Sequence, residues 1–209
     1  SFFEGDVLEW DCALRILQTA THLFRLESNI VYITVYPGTE LTVCGDLHGQ
    51  LPDLLTIFRL RGPPSHTNWY LFNGDVVDRG ENGAECLLLI LAYKIAFPRS
   101  VFINRGNHEA RSMNEKYGFG DEVRAKYGRP NQDHFDDLFC ALPLATIVQG
   151  KAIVLHGGLF SKDGITLNDI ARIHRFKEPP TGNHRCGSVH LTSNSYFKSI
   201  YFYFYFYFI

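Results

Sequence analysis

Short apolar segments that each end in a polar, glycine-rich turn recur along this chain, and they constrain its fold more than any other feature. Four such turns occur, at residues 45–49, 74–80, 106–109 and 155–159. Each follows a segment with strand character, and the first two lead into amphipathic stretches at residues 52–60 and 84–96. Strands that alternate with helices predict a layered α/β architecture. Polar residues just beyond the carboxyl ends of strands are where such folds place their sites.

The remaining segments fit the same architecture. Residues 7–26 carry helical periodicity after Asp6 as a candidate N-cap, and residues 29–35 are β-branched and extended. Residues 147–148 and 152–155 predict a hairpin around Gly150. Thr166 and Asp169 have the spacing of a capping box, which predicts a helix from there to about residue 173.

Length, charge and cysteine content exclude several classes of protein. The 209 residues suffice for one substantial domain with a buried core. A formal net charge of −2 gives no reason to expect nucleic acid or an anionic membrane as a partner. The five cysteines are scattered and include no Cys-x-x-Cys pair, which favours buried thiols in a reducing compartment over a zinc knuckle or a disulfide framework. The chain begins at Ser1 without a signal-peptide pattern, so we expect a fragment of a longer cytoplasmic or nuclear protein.

The last part of the chain differs in character from the rest. Residues 181–195 are polar and unpatterned, and residues 201–208 are consecutive Tyr-Phe pairs. The repeat has the composition of an aggregating strand, and it is too short to span a membrane, which takes about 20 apolar residues. We interpret residues 181–209 as a low-complexity tail that arises from translated non-coding repeat sequence, in preference to a functional tail.

The four turns contain residue types that bind metal ions. Asp46 and His48 are two residues apart, so at a strand end they project from the same face. Asp75 can bridge two ions with its two oxygens, Asn107 offers an amide oxygen, and His156 offers a second imidazole. These donors suit first-row ions such as Mn, Fe or Zn. Two ions about 3.5–4 Å apart polarise a phosphoryl group and lower the pKa of a bridging water, whose hydroxide is then the nucleophile.

Three further residues supply the other roles needed to hydrolyse a phosphate ester. His108, as an imidazolium, can protonate the departing oxygen as a general acid. Asp78 is the candidate that holds this ring and favours its charged form. Arg79 presents a planar fork that matches phosphate oxygens. Each motif alone also fits a plain turn, a helix start or a surface ion pair worth under about 1 kcal/mol. Their occurrence in order, each after an apolar strand, favours a common site.

Other residues receive a structural interpretation. Tyr117 fits the lining of a substrate groove and the packing of a core equally well. The histidines outside the four turns are expected to be solvated or packing residues; they are His22, His66, His134, His174, His184 and His190.

The turns resemble the motifs of the phosphoprotein phosphatases, the metal-dependent serine/threonine phosphatases of the calcineurin-like metallophosphoesterase superfamily. The resemblance covers about residues 42–180, and residues 104–110, 117–119, 156–160 and 163–167 look closest to the type 5 and EF-hand-containing branches. It implies a β-sandwich flanked by helices, with the metals at the loops of one edge. We therefore expect a helical lead-in at residues 1–40, the N-terminal two-thirds of the catalytic domain at residues 41–180, and an unmatched tail at residues 181–209.

The same resemblance implies roles for individual residues. The implied metal ligands are Asp46, His48 and Asp75 for a first ion and Asp75, Asn107 and His156 for a second. His108 corresponds to the proton donor and Asp78 to its partner, while Arg79 and Asn107 correspond to residues that bind the substrate phosphate. The implied cofactors are two divalent or trivalent metal ions. They are expected to be Mn, Fe or Zn, alone or in combination.

The resemblance ends after Pro180, and two expectations follow. An arginine-bearing loop, a further metal-binding histidine and a tyrosine near the cavity have no match in residues 181–209, so the fold is expected to be incomplete at its C-terminus. The first expectation is a phosphatase that acts on phosphoserine and phosphothreonine in proteins, with a regulatory domain or subunit as a further partner. The alternative is an impaired fragment that binds phosphoproteins or a regulatory subunit through Arg79 and one metal. Nucleotides or phosphodiesters are a weaker alternative for the substrate.

Overall fold

Two β-sheets and a set of helices make up residues 7–128, 131–157, 160, 163–179 and 207–208, which are the residues that the computed structural model describes. The strands are β1 (Ile30–Ile33), β2 (Glu40–Cys44), β3 (Asn68–Phe72), β4 (Val101–Ile103), β5 (Ala145–Val148), β6 (Ala152–Leu155) and β7 (Tyr207–Phe208). The helices are α1 (Trp10–Leu26), α2 (Leu51–Arg61), α3 (Gly83–Ala96), α4 (Arg111–Tyr117), α5 (Phe119–Tyr127), α6 (Gln132–Ala141) and α7 (Leu167–Ala171).

The two sheets differ in strand direction. One sheet has the order β2-β3-β4 and is parallel throughout. The other has the order β1-β5-β6-β7, in which β1 and β5 are parallel and the other pairs are antiparallel. Because parallel strands bring their carboxyl ends to one edge, the turns after β2, β3 and β4 come together.

Alternate residues of β3 belong to two different cores. Tyr70 and Phe72 pack with the residues of α1, α2, α3, α5 and α6. Leu71 points the other way, into a cluster that it shares with Phe102 of β4 and Val154 of β6, which belongs to the other sheet. This alternation is expected for a strand that is buried on both faces. The predicted α/β fold, a β-sandwich flanked by helices, is therefore confirmed.

The helix boundaries show where local sequence signals compete with tertiary contacts. Helix α1 begins at Trp10, with Glu9 in the N-cap position, and not at residue 7. The candidate cap Asp6 lies outside the described residues. The sequence patterns did not predict α4, α5 or α6, which occupy the region between Arg111 and Ala141.

The predicted capping box forms at the start of α7, but the helix is short. The Thr166 side chain accepts from the backbone N–H of Asp169, and the Asp169 side chain accepts from the backbone N–H of Thr166. The helix ends at Ala171, before the predicted end near residue 173. The side-chain amide of Asn29 donates to the carbonyls of Ile170, Ala171 and Ile173, so it takes the place of the next helical turn.

Residues 207–208 are the part of the tail that the structure describes after residue 179. Their backbone pairs antiparallel with β6, with Phe208 opposite Ala152 and Tyr207 opposite Ile153. The interpretation of residues 181–206 as a low-complexity tail falls on positions outside the described residues. Among the described residues, no helix combines the length and apolar character that crossing a membrane requires.

Candidate active site

The turns after β2, β3, β4 and β6 meet at one edge of the sandwich, and their backbones hold one another. The N–H groups of Leu47 and His48 both donate to the carbonyl of Asp75 at 3.0 Å, which joins the first turn to the second. A Cβ on Gly74 would lie only 2.5 Å from the Cα of Gly106, so the second and third turns touch where neither has a side chain. Glycine is needed at this contact because any side chain would separate the two turns.

Left-handed backbone is concentrated at this edge. His48, Asp75, Asp78 and Arg79 have φ values of 45°, 52°, 69° and 68°. Within the described part of the chain, Gln149 in the β5–β6 hairpin is the one other non-glycine residue with positive φ. Such conformations cost about 1–3 kcal/mol each and persist only where the surroundings hold them. Four predicted site residues are thus held in strained positions.

The predicted metal ligands converge on the buried carboxylate of Asp75. Its Oδ2 lies 3.8 Å from Nε2 of His48 and 3.3 Å from Nε2 of His156. Nε2 of His48 is also 3.9 Å from Oδ2 of Asp46, the one strongly exposed member of the group. Nε2 of His156 lies 3.0 Å from Oδ1 of Asn107. Two sets of three side chains have their ligand atoms within 4.8 Å of one another: Asp46, Asp75 and His156, and His48, Asp75 and His108.

The two candidate ligand histidines have the orientation that a metal requires. Nδ1 of His48 lies 2.9 Å from the carbonyl of Val77, and Nδ1 of His156 lies 2.6 Å from the carbonyl of Asn73. Because a carbonyl can only accept, Nδ1 carries the proton in each ring, and Nε2 of the neutral ring is a lone pair. In His156 this lone pair faces the side-chain oxygen of Asn107, so two hydrogen-bond acceptors face each other with no donor between them. A cation between them resolves that conflict, and the donor set fits a metal centre.

The charges of this group depend strongly on one another. Burial alone would raise the pKa of Asp75, but the hydrogen bond and charge of His156, together with the charge and N–H of His108, lower it. Burial alone would lower the pKa of His156, but the Asp75 carboxylate and the Asn73 carbonyl raise it to about 9. The pair therefore favours a proton on His156 where no cation is bound, and a bound cation would displace that proton.

His108, which lies next to His48 and Asp75, is fixed by a buried carboxylate. Its Nδ1 lies 2.7 Å from Oδ2 of Asp78, which is completely buried. Asp78 also accepts from the backbone N–H of Phe119 at 2.9 Å and from the side-chain amide of Asn114 at 3.0 Å. With Nδ1 donating to Asp78, Nε2 is the ring atom left for a substrate, and it lies 3.5 Å from Nη2 of Arg79.

Arg79 and Tyr117 form the exposed rim of the site. The Arg79 side chain is exposed, while its backbone N–H donates to the carbonyl of Tyr117 at 3.0 Å. The guanidinium carbon lies 5.9 Å from the centre of the Tyr117 ring, and that ring lies 5.0 Å from the ring of His108. Of the two interpretations of Tyr117, the structure favours the lining of a groove, since the residue is half-buried between the predicted acid and the predicted phosphate ligand.

The histidines outside the turns lie apart from this group or outside the described residues. The His66 ring contacts Phe97 and the His134 ring contacts Trp10, while His22 and His174 are exposed. His184 and His190 fall on positions that the structure does not describe.

Two buried residues of the site were not predicted. Asn114 donates to the Asp78 carboxylate and, at 2.8 Å, to the carbonyl of His108. Glu109, at the end of the third turn, accepts from backbone N–H groups of two turns. A charged residue directly after two candidate site residues was the one available signal for Glu109. For Asn114 there was none, because its partners are 36 and six residues away.

A polar contact between the sheets supports the site from below. The side-chain amide of Asn104 donates to Oδ1 of Asn73 at 2.8 Å and to the carbonyl of Val154 at 3.1 Å. Its oxygen accepts from the hydroxyl of Thr146 at 2.8 Å. These bonds join the carboxyl ends of β3 and β4 to β5 and β6, so the turns that follow keep a constant spacing.

Known proteins with similar sequences and structures share this arrangement of elements. Residues 39–199 match the family model described as calcineurin-like phosphoesterase. The chain is 52% identical over 171 residues to serine/threonine-protein phosphatase 5 of Arabidopsis thaliana, which covers 82% of this chain and 32% of that protein. It is 45% identical over 175 residues to serine/threonine-protein phosphatase 5 of Homo sapiens, which covers 84% of this chain and 35% of that protein.

A solved structure is similar over nearly the whole chain. It is a protein serine/threonine phosphatase from Saccharomyces cerevisiae with similarity to human phosphatase PP5, and it has a TM-score of 0.84 at 41% sequence identity. The similarity covers 91% of this chain and 60% of the yeast chain. The present chain spans about a third of the length of the curated relatives named above, with 32% and 35% of them covered.

Proposed function

This chain belongs to the calcineurin-like phosphoesterase family, and on that premise we propose that it carries the metal-binding part of a protein serine/threonine phosphatase. The observation that supports the proposal best is the convergence of four turns on the buried carboxylate of Asp75, which lies next to two oriented imidazoles and to the His108–Asp78 pair. The relatives with the highest identity cited above are named serine/threonine-protein phosphatases, and the substrate class is taken from them.

The residues that would hold the metals are the ones gathered around Asp75. They are Asp46 and His48 for one ion, Asn107 and His156 for the other, and Asp75 for both. Two divalent or trivalent ions such as Mn, Fe or Zn, when bound, would supply Lewis-acid polarisation of the phosphate and a lowered pKa of the attacking water. Oδ1 of Asp75 accepts from the backbone N–H of His108 at 2.8 Å, so the ligand group and the proposed acid are positioned together.

His108 is proposed to protonate the departing serine or threonine oxygen. Its Nδ1 is held by Asp78, which keeps the ring in one orientation and leaves Nε2 for the substrate. Nε2 then delivers its proton to the oxygen of the breaking P–O bond. The ring leaves this step neutral and takes up a proton again before the next cycle.

Arg79 is proposed to bind two oxygens of the phosphate from the exposed side, and Asn107 is proposed to contact it from the metal side. The left-handed backbone of Arg79, fixed by the carbonyl of Tyr117, aims the side chain toward Nε2 of His108. A guanidinium matches phosphate oxygens in a planar, bidentate manner. The position of Arg79 at an exposed rim is compatible with a phosphorylated residue on a protein surface.

Several broader features belong to the same proposal. The partners are phosphoprotein substrates and a regulatory domain or subunit. Among the described residues, Cys12, Cys44, Cys86 and Cys140 are free thiols, which fits a cytoplasmic or nuclear location. The proposed division is a helical lead-in at residues 1–40, the catalytic part at residues 41–180 and a separate tail at residues 181–209.

The proposal is tested by hydrolysis assays on the full 209-residue chain with Mn²⁺. We expect release of phosphate from phosphoserine and phosphothreonine peptides, and a large loss of the rate in Asp75→Asn and His108→Gln. ATP and a phosphodiester serve as parallel substrates. A chain that binds Mn²⁺ and retains a phosphopeptide without hydrolysing it would contradict the proposal and favour a binding module. Faster hydrolysis of the nucleotide or the diester would contradict the proposed substrate class.

A further inference from the structure

The Glu109 side chain is completely buried, and its carboxylate is bonded to the backbone of the site and not to a substrate-facing group. Oε2 accepts from the N–H of Asp75 at 2.8 Å and from the N–H of Gly106 at 2.8 Å. Oε1 accepts from the N–H of Val76 at 2.9 Å. A buried carboxylate is costly, and the three N–H donors offset only part of its desolvation, since burial and the neighbouring Asp75 charge raise the pKa of Glu109 to about 7.

These three donors belong to two different turns. Asp75 and Val76 follow β3, whereas Gly106 follows β4, so the Glu109 carboxylate ties the second turn to the third. The space between the turns has no room for a side chain at Gly106. A Cβ on Gly106 would lie 2.3 Å from Oδ1 of Asp75 and 2.6 Å from Oε2 of Glu109. The two turns therefore approach as closely as their backbones permit, and Glu109 supplies the acceptors at that contact.

Every polar group of Asp75 has a partner nearby, and Glu109 is the partner of its backbone N–H. The Asp75 N–H donates to Glu109, its carbonyl accepts from the N–H groups of Leu47 and His48, and Oδ1 accepts from the N–H of His108. Oδ2 remains directed toward the imidazoles of the metal ligands. The φ of 52° at Asp75 is thus maintained by bonds on both sides of the residue.

We propose that Glu109 is a positioning residue for the metal centre, which holds Asp75 in its strained conformation so that one carboxylate oxygen faces both imidazoles. This inference rests on the proposed function, because it assumes that the Asp75 group binds metal. Glu109 acts through backbone N–H groups, and it is neither a metal ligand nor a proton donor. Removal of one acceptor oxygen should release the turns from each other and should weaken metal binding before it disrupts the fold.

The test compares two glutamate-to-glutamine variants of the full chain by titration calorimetry with Mn²⁺ and by thermal unfolding without metal. In Glu109→Gln, one acceptor oxygen becomes an amide donor that faces a backbone N–H. The matched control is Glu122→Gln. Glu122 is a half-buried carboxylate that likewise accepts from two backbone N–H groups, those of Gly83 at 3.2 Å and Ala84 at 2.8 Å, but at the start of α3, and it also accepts from Nζ of Lys126 at 2.8 Å.

We expect Glu109→Gln to raise the Kd for Mn²⁺ by about 10- to 100-fold, as other outer partners of metal sites do. Glu122→Gln should lower the unfolding temperature with less than a twofold change in that Kd. Equal Kd values in the two variants, or a wild-type chain that binds no Mn²⁺, would overturn the inference. If Glu109→Gln does not fold, Glu109→Asp replaces it under the same criterion, because it keeps the charge and shortens the reach.

Metal binding is measured here without hydrolysis, so the two proposals fail separately. A wild-type chain that binds Mn²⁺ and shows the expected Kd ratio, yet releases no phosphate, would contradict the proposed function and support the role of Glu109. Conversely, the wild-type chain could release phosphate while Glu109→Gln binds Mn²⁺ as tightly as wild type. That result would support the proposed function and contradict the role of Glu109.

Discussion

Replacing Arg175 by methionine is expected to destabilise the fold by about 3 kcal/mol or more. Arg175 is 4% exposed, although it belongs to the short segment after α7. Its guanidinium donates to four oxygens at 2.6–3.1 Å, which belong to Asn29 (side chain), Phe24, Glu27 and Ala141. Three of these are carbonyls at the ends of α1 and α6, of which the Phe24 carbonyl also accepts from the backbone N–H of Glu27 at 3.0 Å.

The magnitude follows from the number of acceptors that lose a donor. A buried acceptor left without a partner costs about 1–3 kcal/mol. Three acceptors, on Asn29, Glu27 and Ala141, at the lower end of that range give about 3 kcal/mol, and the lower end applies because methionine also removes the desolvation cost of the guanidinium. That desolvation is the cause that lowers the pKa of Arg175. A loss of this size is a large part of the stability of an ordinary domain, which is about 5–15 kcal/mol.

The assay is urea unfolding of the full chain, followed by circular dichroism and extrapolated linearly to zero denaturant. For a chain of this size the thermal midpoint should fall by about 6–12 °C. Arg124→Met is the control, because Arg124 pairs with the exposed Asp121 within one turn of α5. Its loss should cost under about 1 kcal/mol. An equal and small effect of both substitutions, with unchanged dependence on urea, would refute the reasoning that assigns Arg175 a role in joining the helix ends.

Three further outcomes are expected. Asn114→Ala should lower kcat toward a phosphopeptide by about tenfold with little change in KM. The substitution removes a donor that orients Asp78 and leaves the phosphate contacts intact. An unchanged kcat in steady-state assays would contradict this prediction. Gly106→Ala should abolish Mn²⁺ binding in calorimetry, because the new Cβ would lie 2.3 Å from Oδ1 of Asp75, whereas Gly120→Ala, with its nearest contact at 3.2 Å, should retain it. Saturation with Mn²⁺ at 100 times its Kd should stabilise the chain by about 2.7 kcal/mol over a chelator-treated sample, and equal unfolding midpoints would argue against a metal site.

The fold was predictable from sequence where the controlling contacts are local. The alternation of β3, in which Leu71 points away from Tyr70 and Phe72, is a property of any strand and is visible in the residue types. The convergence of the turns followed from parallel strand direction, which the strand–helix alternation implied. Helices α4, α5 and α6 were not predicted, because α5 and α6 depend on the core that they share with α1 and α3, and α4 depends on contact with α5.

The site was predictable as a set of residue types, but its supports were not. Asp46, His48 and His156 are recognisable as candidate metal ligands from the turns that contain them. The partners that orient these donors are backbone carbonyls 29 and 83 residues away in the chain, which no local pattern contains. Arg175 is the extreme case. From sequence, a charged residue in a short segment indicates a solvated surface. Its burial instead depends on hydrogen bonds to Asn29, Phe24 and Glu27, which lie 146–151 residues earlier in the chain.

The strain in the turns and the proposed metal centre are energetically linked. Four site residues with left-handed backbone cost about 4–12 kcal/mol together at about 1–3 kcal/mol each, which is comparable with the stability of a whole domain. The core reaches into these turns through Leu47, Val76 and Val77, and hydrogen bonds add to that packing. The bonds from Glu109 to three N–H groups and from Asp78 to Phe119 and Asn114 act at the strained positions themselves. A cation that binds Asp75 would add to these bonds, so removal of metal should loosen the turns while the sandwich beneath them stays folded.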